Sequence, residues 1–195
     1  MAEKRWGMVM DVRRCIGCHA CSVACKAENE VPSGVFRTHV RYIERGNYPK
    51  VRRHFLPVIC NHCDNPPCVH VCPTGASFQR EDGLTLVDYD KCIGCRYCMA
   101  ACPYGARFIH PELEVADKCT FCVHRLDAGI IPACVQTCIG RVRIFGDLND
   151  ENSEIAQLVG TNATTALKPG KGTRPQVFYI AAPTTEDEPV KERVG

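Results

Sequence analysis

Cys92-Ile-Gly-Cys95-Arg-Tyr-Cys98-Met-Ala-Ala-Cys102-Pro103 is the stretch whose reading decides the fold. Three cysteines stand at every third position, a fourth follows four residues on, and a proline comes next. With this spacing three thiolates grip one iron–sulfur cluster while the fourth reaches a second. A tight loop with cysteines three apart can wrap a cube of iron and sulfide with each sulfur turned inward. The helical turn behind it carries the next cysteine to the far side. Gly94 is expected to let the backbone approach the inorganic sulfurs where a side chain would block it, and Pro103 to end the turn. A structural zinc knuckle is the plainer alternative, but zinc sites usually present two separated Cys-x2-Cys pairs rather than three cysteines in one run.

Working outward, all 16 cysteines of the 195-residue chain fall into quartets. They are Cys15, Cys18, Cys21 and Cys25; Cys60, Cys63, Cys68 and Cys72; Cys92, Cys95, Cys98 and Cys102; and Cys119, Cys122, Cys134 and Cys138. Disulfide frameworks spread partners over distant loops and need no Cys-x2-Cys repetition. Four quartets with none left over imply four 4Fe-4S clusters with four thiolates each. In two-cluster ferredoxins a quartet gives three ligands to its own cluster and lends the fourth to its neighbour, so the quartets must pair. The second and third both end in Cys-Pro and are separated by one hairpin. Pairing them gives Cys60, Cys63, Cys68 with Cys102, and Cys92, Cys95, Cys98 with Cys72. The first and fourth then give Cys15, Cys18, Cys21 with Cys138, and Cys119, Cys122, Cys134 with Cys25. Sequential pairing, first with second and third with fourth, is the rival, and it breaks the Cys-Pro correspondence.

The expected fold class is α+β, with two nested ferredoxin-like two-cluster modules built of short strands, short helices and inserted hairpins. Residues 1–150 form the four-cluster region, with an outer module from 6–35 and 113–148, an inner module from 56–112 and a hairpin inserted at 36–59. Residues 151–195 form a C-terminal extension and tail. Alternation predicts a partly buried strand at 6–11 and a half-buried one at 36–44, a returning strand at 51–59 follows the Gly46-Asn47 turn, and Asp82-Gly83 marks the tip of a hairpin over 76–88. Pro57 would confine its strand to an edge or end it. Helices are expected over 20–29, from Pro132 through Cys138, and over 153–159 with Ser153 as N-cap. A short strand follows Pro103, others lie at 141–145 and 176–181, and residues 183–195 read as a solvated tail.

Net charge is +2, from 24 basic and 22 acidic residues, which gives no case for nucleic acid. No apolar run is long enough to span a membrane. Met1-Ala-Glu-Lys-Arg-Trp6 lacks the apolar core of a secretory signal, so the chain is expected to stay inside or to be exported as a passenger on a partner. No P-loop, dinucleotide fingerprint or nucleophile elbow is found. Glu28 stands where the three-cysteine loop of a radical enzyme would need its last cysteine. A cluster with four thiolates has no open iron for substrate, so no catalytic residue is assigned and the chain reads as a wire between two redox partners. Lys26, Lys91, Arg96, Lys118, Arg125 and Arg141, beside the cysteines, are candidates for raising cluster potentials. His19, His62, His70 and His124 are expected to pack or hydrogen-bond rather than ligate, since the cysteine count is complete.

Cys15-Ile-Gly-Cys-His-Ala-Cys-Ser-Val-Ala-Cys-Lys26, Cys102-Pro-Tyr-Gly-Ala-Arg-Phe108, Ala116-Asp-Lys-Cys-Thr-Phe-Cys122 and Pro132-Ala-Cys-Val-Gln-Thr-Cys138 carry a resemblance over roughly residues 6–150. They resemble the four-cluster iron–sulfur subunit of molybdopterin oxidoreductases, the dimethyl sulfoxide reductase family. Val51-Arg-Arg-His-Phe-Leu-Pro57 and the Cys119 region look most like the polysulfide reductase subunit. The resemblance implies a non-catalytic chain that carries single electrons from an integral membrane quinol-oxidising subunit to a large molybdopterin catalytic subunit. It implies membrane contact only through the partner and a peripheral place on the cytoplasmic membrane, on the extracytoplasmic face by co-export. It puts the Cys15 cluster next to the catalytic subunit and the Cys60 and Cys92 clusters toward the membrane, the latter at the far end. The alternatives are the same subunit of a tetrathionate, dimethyl sulfoxide or formate enzyme, or a hydrogenase-associated ferredoxin-like protein.

Overall fold

The computed structural model describes residues 4–183 and 191–194. In chain order the elements are β1 (Trp6–Asp11), α1 (Ala20–Glu28), β2 (Thr38–Arg45), β3 (Arg52–Ile59), α2 (Pro67–His70), β4 (Ser77–Gln79), β5 (Thr85–Val87), α3 (Tyr97–Ala101), β6 (Phe108–Ile109), β7 (Ala116–Asp117), α4 (Val123–Asp127), α5 (Ala133–Gln136), β8 (Arg143–Asp147), α6 (Glu154–Thr161), β9 (Thr164–Thr165), β10 (Val177–Ile180) and β11 (Lys191–Val194). Short strands and short helices mix throughout, an α+β arrangement.

A four-stranded sheet of order β8-β1-β10-β9 forms the base. β1 runs antiparallel to β8, with Met8 opposite Phe145, and parallel to β10, with Met8 opposite Val177. Alternation suggested that β1 is partly buried. Instead Met8, Val9 and Met10 are all 0% exposed, because a central strand covered on both faces has no wet side. Met8 and Met10 join Val40, Leu56, Phe121 and Tyr179 in a core that also holds Cys21, Cys60, Cys119 and Cys134. Val9, pointing the other way, packs with Ile144, Ile155 and Ile180 under α6. Ser153 caps α6, its hydroxyl accepting from the Ala156 N–H at 3.2 Å, which satisfies one of the free donors of the first turn.

The expected insertion is the hairpin of β2 and β3, with Thr38 opposite Ile59 and Arg45 opposite Arg52. Pro57 sits inside β3 opposite Val40, tolerated because β3 is an edge strand. Residues 183–195 were expected to form a solvated tail. Lys191–Val194 instead pair antiparallel with β2, Glu192 opposite Ile43, because the other side of β2 offers backbone groups that an extended segment can satisfy. Residues 184–190 and 195 of that tail lie outside the described residues. The 77–87 hairpin turns at Gly83, where φ is +85°.

Candidate iron–sulfur sites

Two loops set out the first and third quartets by the same local device. Gly17 (φ +70°) and Gly94 (φ +66°) bend the chain, and His19 (φ +57°) and Arg96 (φ +66°) then launch α1 and α3 from left-handed backbone. The glycines were expected to make room for inorganic sulfur. The structure gives another reason. A Cβ on Gly17 would lie 2.5 Å from the Phe55 ring, and one on Gly94 would lie 2.6 Å from the Glu114 carbonyl oxygen. Positive φ and the press of a neighbouring segment are what demand glycine here.

The thiols gather from distant parts of the chain. Cys15, Cys18, Cys21 and Cys138 line one cavity of about 380 Å³ counting its mouth, walled by Val40, Pro57 and Val142. Cys60, Cys63, Cys68 and Cys102 line a second of about 330 Å³. Cys72, Cys92, Cys95 and Cys98 line a third, also about 330 Å³. Cys25 lies within electrostatic reach of Cys134 and Cys122, and Cys119 within reach of Cys25 and Cys134. The Asn29 amide donates to both Cys25 Sγ and Cys122 Sγ at 3.7 Å. These four are deeply buried. Among the described residues no three cysteine, histidine or carboxylate groups close on a single ion. Three of the quartets stand round a cavity instead, as a cube with iron and sulfide at alternate corners requires and a tetrahedral zinc does not.

The donors around the sulfurs fit such a group. Backbone N–H groups reach Cys72 Sγ from Ser77 (3.3 Å), Cys92 Sγ from Ala116 (3.4 Å), Cys119 Sγ from Phe121 (3.4 Å) and Cys138 Sγ from Val142 (3.3 Å). Burial pushes the Cys25 and Cys63 thiols up to about 12, each reinforced by neighbouring cysteines, and raises Cys119 well above the ordinary thiol value. At Cys72 burial acts the same way, but hydrogen bonds from Ser77, Thr74 and Ala76 outweigh it and hold that thiol low. Buried thiols ionise only when a cation shares their space, and a coordinating metal deprotonates them outright.

Guanidinium groups complete the setting. Arg107, 5% exposed, donates to Cys68 Sγ at 3.0 Å and Ser77 Oγ at 2.7 Å, while its Nη1 is buried with no partner among the described residues. Arg143, 3% exposed, reaches Cys134 Sγ at 3.5 Å, Cys21 Sγ at 3.4 Å and Thr38 Oγ1 at 2.8 Å. Neither was on the sequence-based roster of cations. Of that roster only Lys118 is buried beside thiols. Lys26 ties its ammonium to the Pro32 and Val35 carbonyls at 2.7 Å. Lys91 pairs with Asp88, Arg125 with Glu28 and Arg141 with Glu154, and Arg96 lines the cavity of Cys72 and Cys95. The signal for Arg107 and Arg143 was weak, a lone charge in a short apolar run (Ala106-Arg-Phe-Ile and Val142-Arg-Ile-Phe). The four histidines in or near the motifs are all engaged. His19 bonds Tyr42, His70 bonds Asn65, His124 bonds Glu28, and His62 accepts from the Thr85 N–H while stacking on Phe121.

Buried thiol quartets with amide and guanidinium donors define an electron-transfer protein of the iron–sulfur class. Residues 14–76 and 51–148 each match a 4Fe-4S dicluster domain. The chain is 54% identical over 180 residues to a subunit of the tetrathionate reductase of Salmonella typhimurium, covering 90% of this chain and 72% of that protein. It is 41% identical over 211 residues to a subunit of the selenate reductase of Mesobacillus selenatarsenatis (91% and 72%). It is 38% identical over 225 residues to the arsenate respiratory reductase iron–sulfur subunit of a Shewanella species (90% and 96%). The chain belongs to the 4Fe-4S dicluster family of iron–sulfur subunits of molybdopterin oxidoreductases, and its part is electron transfer rather than catalysis. Among the described residues no helix is long and apolar enough to cross a membrane.

Proposed function

We propose that this chain carries single electrons through four 4Fe-4S clusters between a quinol-oxidising membrane subunit and a molybdopterin catalytic subunit that reduces polysulfide. The ligand sets are Cys15, Cys18, Cys21 and Cys138; Cys25, Cys119, Cys122 and Cys134; Cys60, Cys63, Cys68 and Cys102; and Cys72, Cys92, Cys95 and Cys98. Each bound cluster supplies a site that gains and loses one electron. The protein's own share is to hold sixteen thiolates in place, keep water from the inner sulfurs and aim N–H groups at them.

One observation carries this reading: the quartets form a continuous series, buried in the middle and open at both ends. Arg143 hydrogen-bonds Cys21 of the first set and Cys134 of the second. Cys119 of the second feels the charge of Cys60 of the third, and Arg107 lines the cavities of the third and fourth. The exposed thiols are Cys18 and Cys95, at opposite ends of the series. Each end has an apolar rim. Ile16 and Ile139 (61% and 73% exposed) flank the first, and Ile93 and Tyr97 (68% and 62%) the last. Such rims suit docking partners. By family resemblance the Cys18 end meets the catalytic subunit and the Cys95 end the membrane subunit. The two nested modules follow from the same ligand sets, as does a peripheral place on the outer face of the cytoplasmic membrane, reached by co-export.

A second reading, tetrathionate as terminal acceptor, is favoured by the 54% identity to a tetrathionate reductase subunit. The test is anaerobic purification from native membranes, then reduction of the clusters by a quinol and reoxidation by each acceptor. Polysulfide should reoxidise them. Reoxidation by tetrathionate alone would move the assignment to the second reading, and a chain that elutes alone, without a large subunit, would sink both.

A further inference from the structure

Three buried cations occupy the three joins of the series. Arg143 stands between the first and second sets, bonded to Cys21 and Cys134. Lys118, 1% exposed, stands between the second and third. Its ammonium donates to the carbonyls of Thr85, in the wall of the third cavity, and, at 2.9 Å, of Cys119 in the second set, and it lies within electrostatic reach of Cys60, of the Arg107 cation and of Cys68. Arg107 stands between the third and fourth, bonded to Cys68 and also within electrostatic reach of Cys98. Among the described residues none of the three is paired with a carboxylate. Arg37, also close to Cys25, makes the contrast. It is held by Asp117 at 2.9 Å and so brings no net charge.

A buried charge left unpaired is costly, and here the available anions are cysteine sulfurs on both sides. We propose that Arg143, Lys118 and Arg107 are positioning residues of the relay, each shared by two successive clusters and each setting the potentials of both. An electron held on either side of a join adds negative charge beside the same cation. Losing the cation therefore makes both neighbours harder to reduce, while clusters beyond the join are shielded by distance. Sharing also keeps neighbours matched. The cation favours the electron on both sides alike, so the step between them stays near level, whereas a cation beside one cluster alone would make that cluster a trap. The inference rests on the ligand sets proposed above.

The test is a potentiometric titration of the iron-loaded protein, read by electron paramagnetic resonance. The variants are Arg107→Gln, Arg143→Gln and Lys118→Met, with Arg107→Lys and Arg143→Lys beside them and iron counted in each. In Arg107→Gln two of the four signals should fall, each by about tenfold or more in the reduced-to-oxidised ratio, about 59 mV for one electron. Arg143→Gln should lower the other two, and Lys118→Met one from each pair. The lysine variants should recover most of the loss. Full iron with no shift, or an equal shift in all four signals, would overturn the proposal. So would loss of iron in all three charge-removing variants with retention in both lysine variants, which would make the cations assembly residues only. A wild-type iron count short of four cubes would break the ligand reading itself, a failure distinguishable from these.

Discussion

The loops of the first and third quartets share their spacing, their positive-φ glycine and their left-handed launch, yet they serve different surroundings. After Cys25 comes Lys26, and α1 runs nine residues. After Cys102 comes Pro103, and α3 stops at five with Cys102 itself as its cap. Cys25 is buried, while Cys102 is partly exposed. The first loop packs against the β2–β3 hairpin, where Phe55 fills the space over Gly17, whereas the third is backed by the connection between β6 and β7, where Glu114 presses on Gly94. The difference teaches that cysteine spacing fixes the loop, while the residue after the fourth cysteine and the neighbouring segment fix how far the helix runs and how deeply that cysteine is carried.

Stripping the iron should break the comparison most strongly. Three buried cations would then face neutral thiols, each an unpaired charge worth several kcal/mol. We expect cooperative melting to be lost around Cys60–Cys102, where Arg107 and Lys118 both lie beside Cys60 and Cys68, while β1 and β10 retain the slowest amide exchange, because the four-stranded sheet has its own apolar core under α6. Uniform exchange across both regions after chelation would contradict this. Next in size is alanine at the two glycines. Each forces a Cβ into left-handed backbone, at about 1–2 kcal/mol. Gly94→Ala should cost more than Gly17→Ala, since a carbonyl held in the chain cannot yield as the Phe55 ring can. Denaturant midpoints of the two holo-variants give the order directly. Lys26→Ala should come third, at about 1 kcal/mol for two part-buried bonds to carbonyls, and should loosen the end of α1. In the other region Lys91→Ala, ahead of the quartet, removes only a surface pair with Asp88 and should leave the melting temperature where it was. A loss at Lys26→Ala no greater than at Lys91→Ala would show that the residue after Cys25 does not hold the end of α1.

Much of this was legible from residues alone. Cysteine spacing marked both loops, period-two alternation marked the first strand of the β2–β3 hairpin, Asp82-Gly83 marked the turn of the β4–β5 hairpin, and Ser153 marked the start of α6. Three things were not legible. The helices α2 and α4 have four and five residues, too short to show a helical period. The covering of β1 on both faces depends on α6 on one side and on the β2–β3 hairpin on the other, and alternation within six residues cannot report partners so distant. Arg107 and Arg143 escaped because proximity to cysteine in sequence favours residues at loop edges, such as Lys91 and Arg141, which face water. The cations that reach sulfur come instead from strand β8 and from the approach to β6, and only folding brings them inward.

The parallel pairing of β1 with β10 bears on how the protein is made. Met8 leaves the ribosome early and Val177 late, and at about 5–20 residues per second the interval is on the order of ten seconds. Throughout that time the sheet that closes the base of the molecule lacks its inner strand, and the thiols above it remain open to the machinery that delivers iron and sulfide. We expect β10 to act as a latch, closing after the cargo is aboard. Chains stalled before residue 177 should accept clusters but exchange them readily, and release past residue 180 should make the cargo permanent. Stalled chains that hold their clusters as firmly as the finished protein would remove the latch from the account.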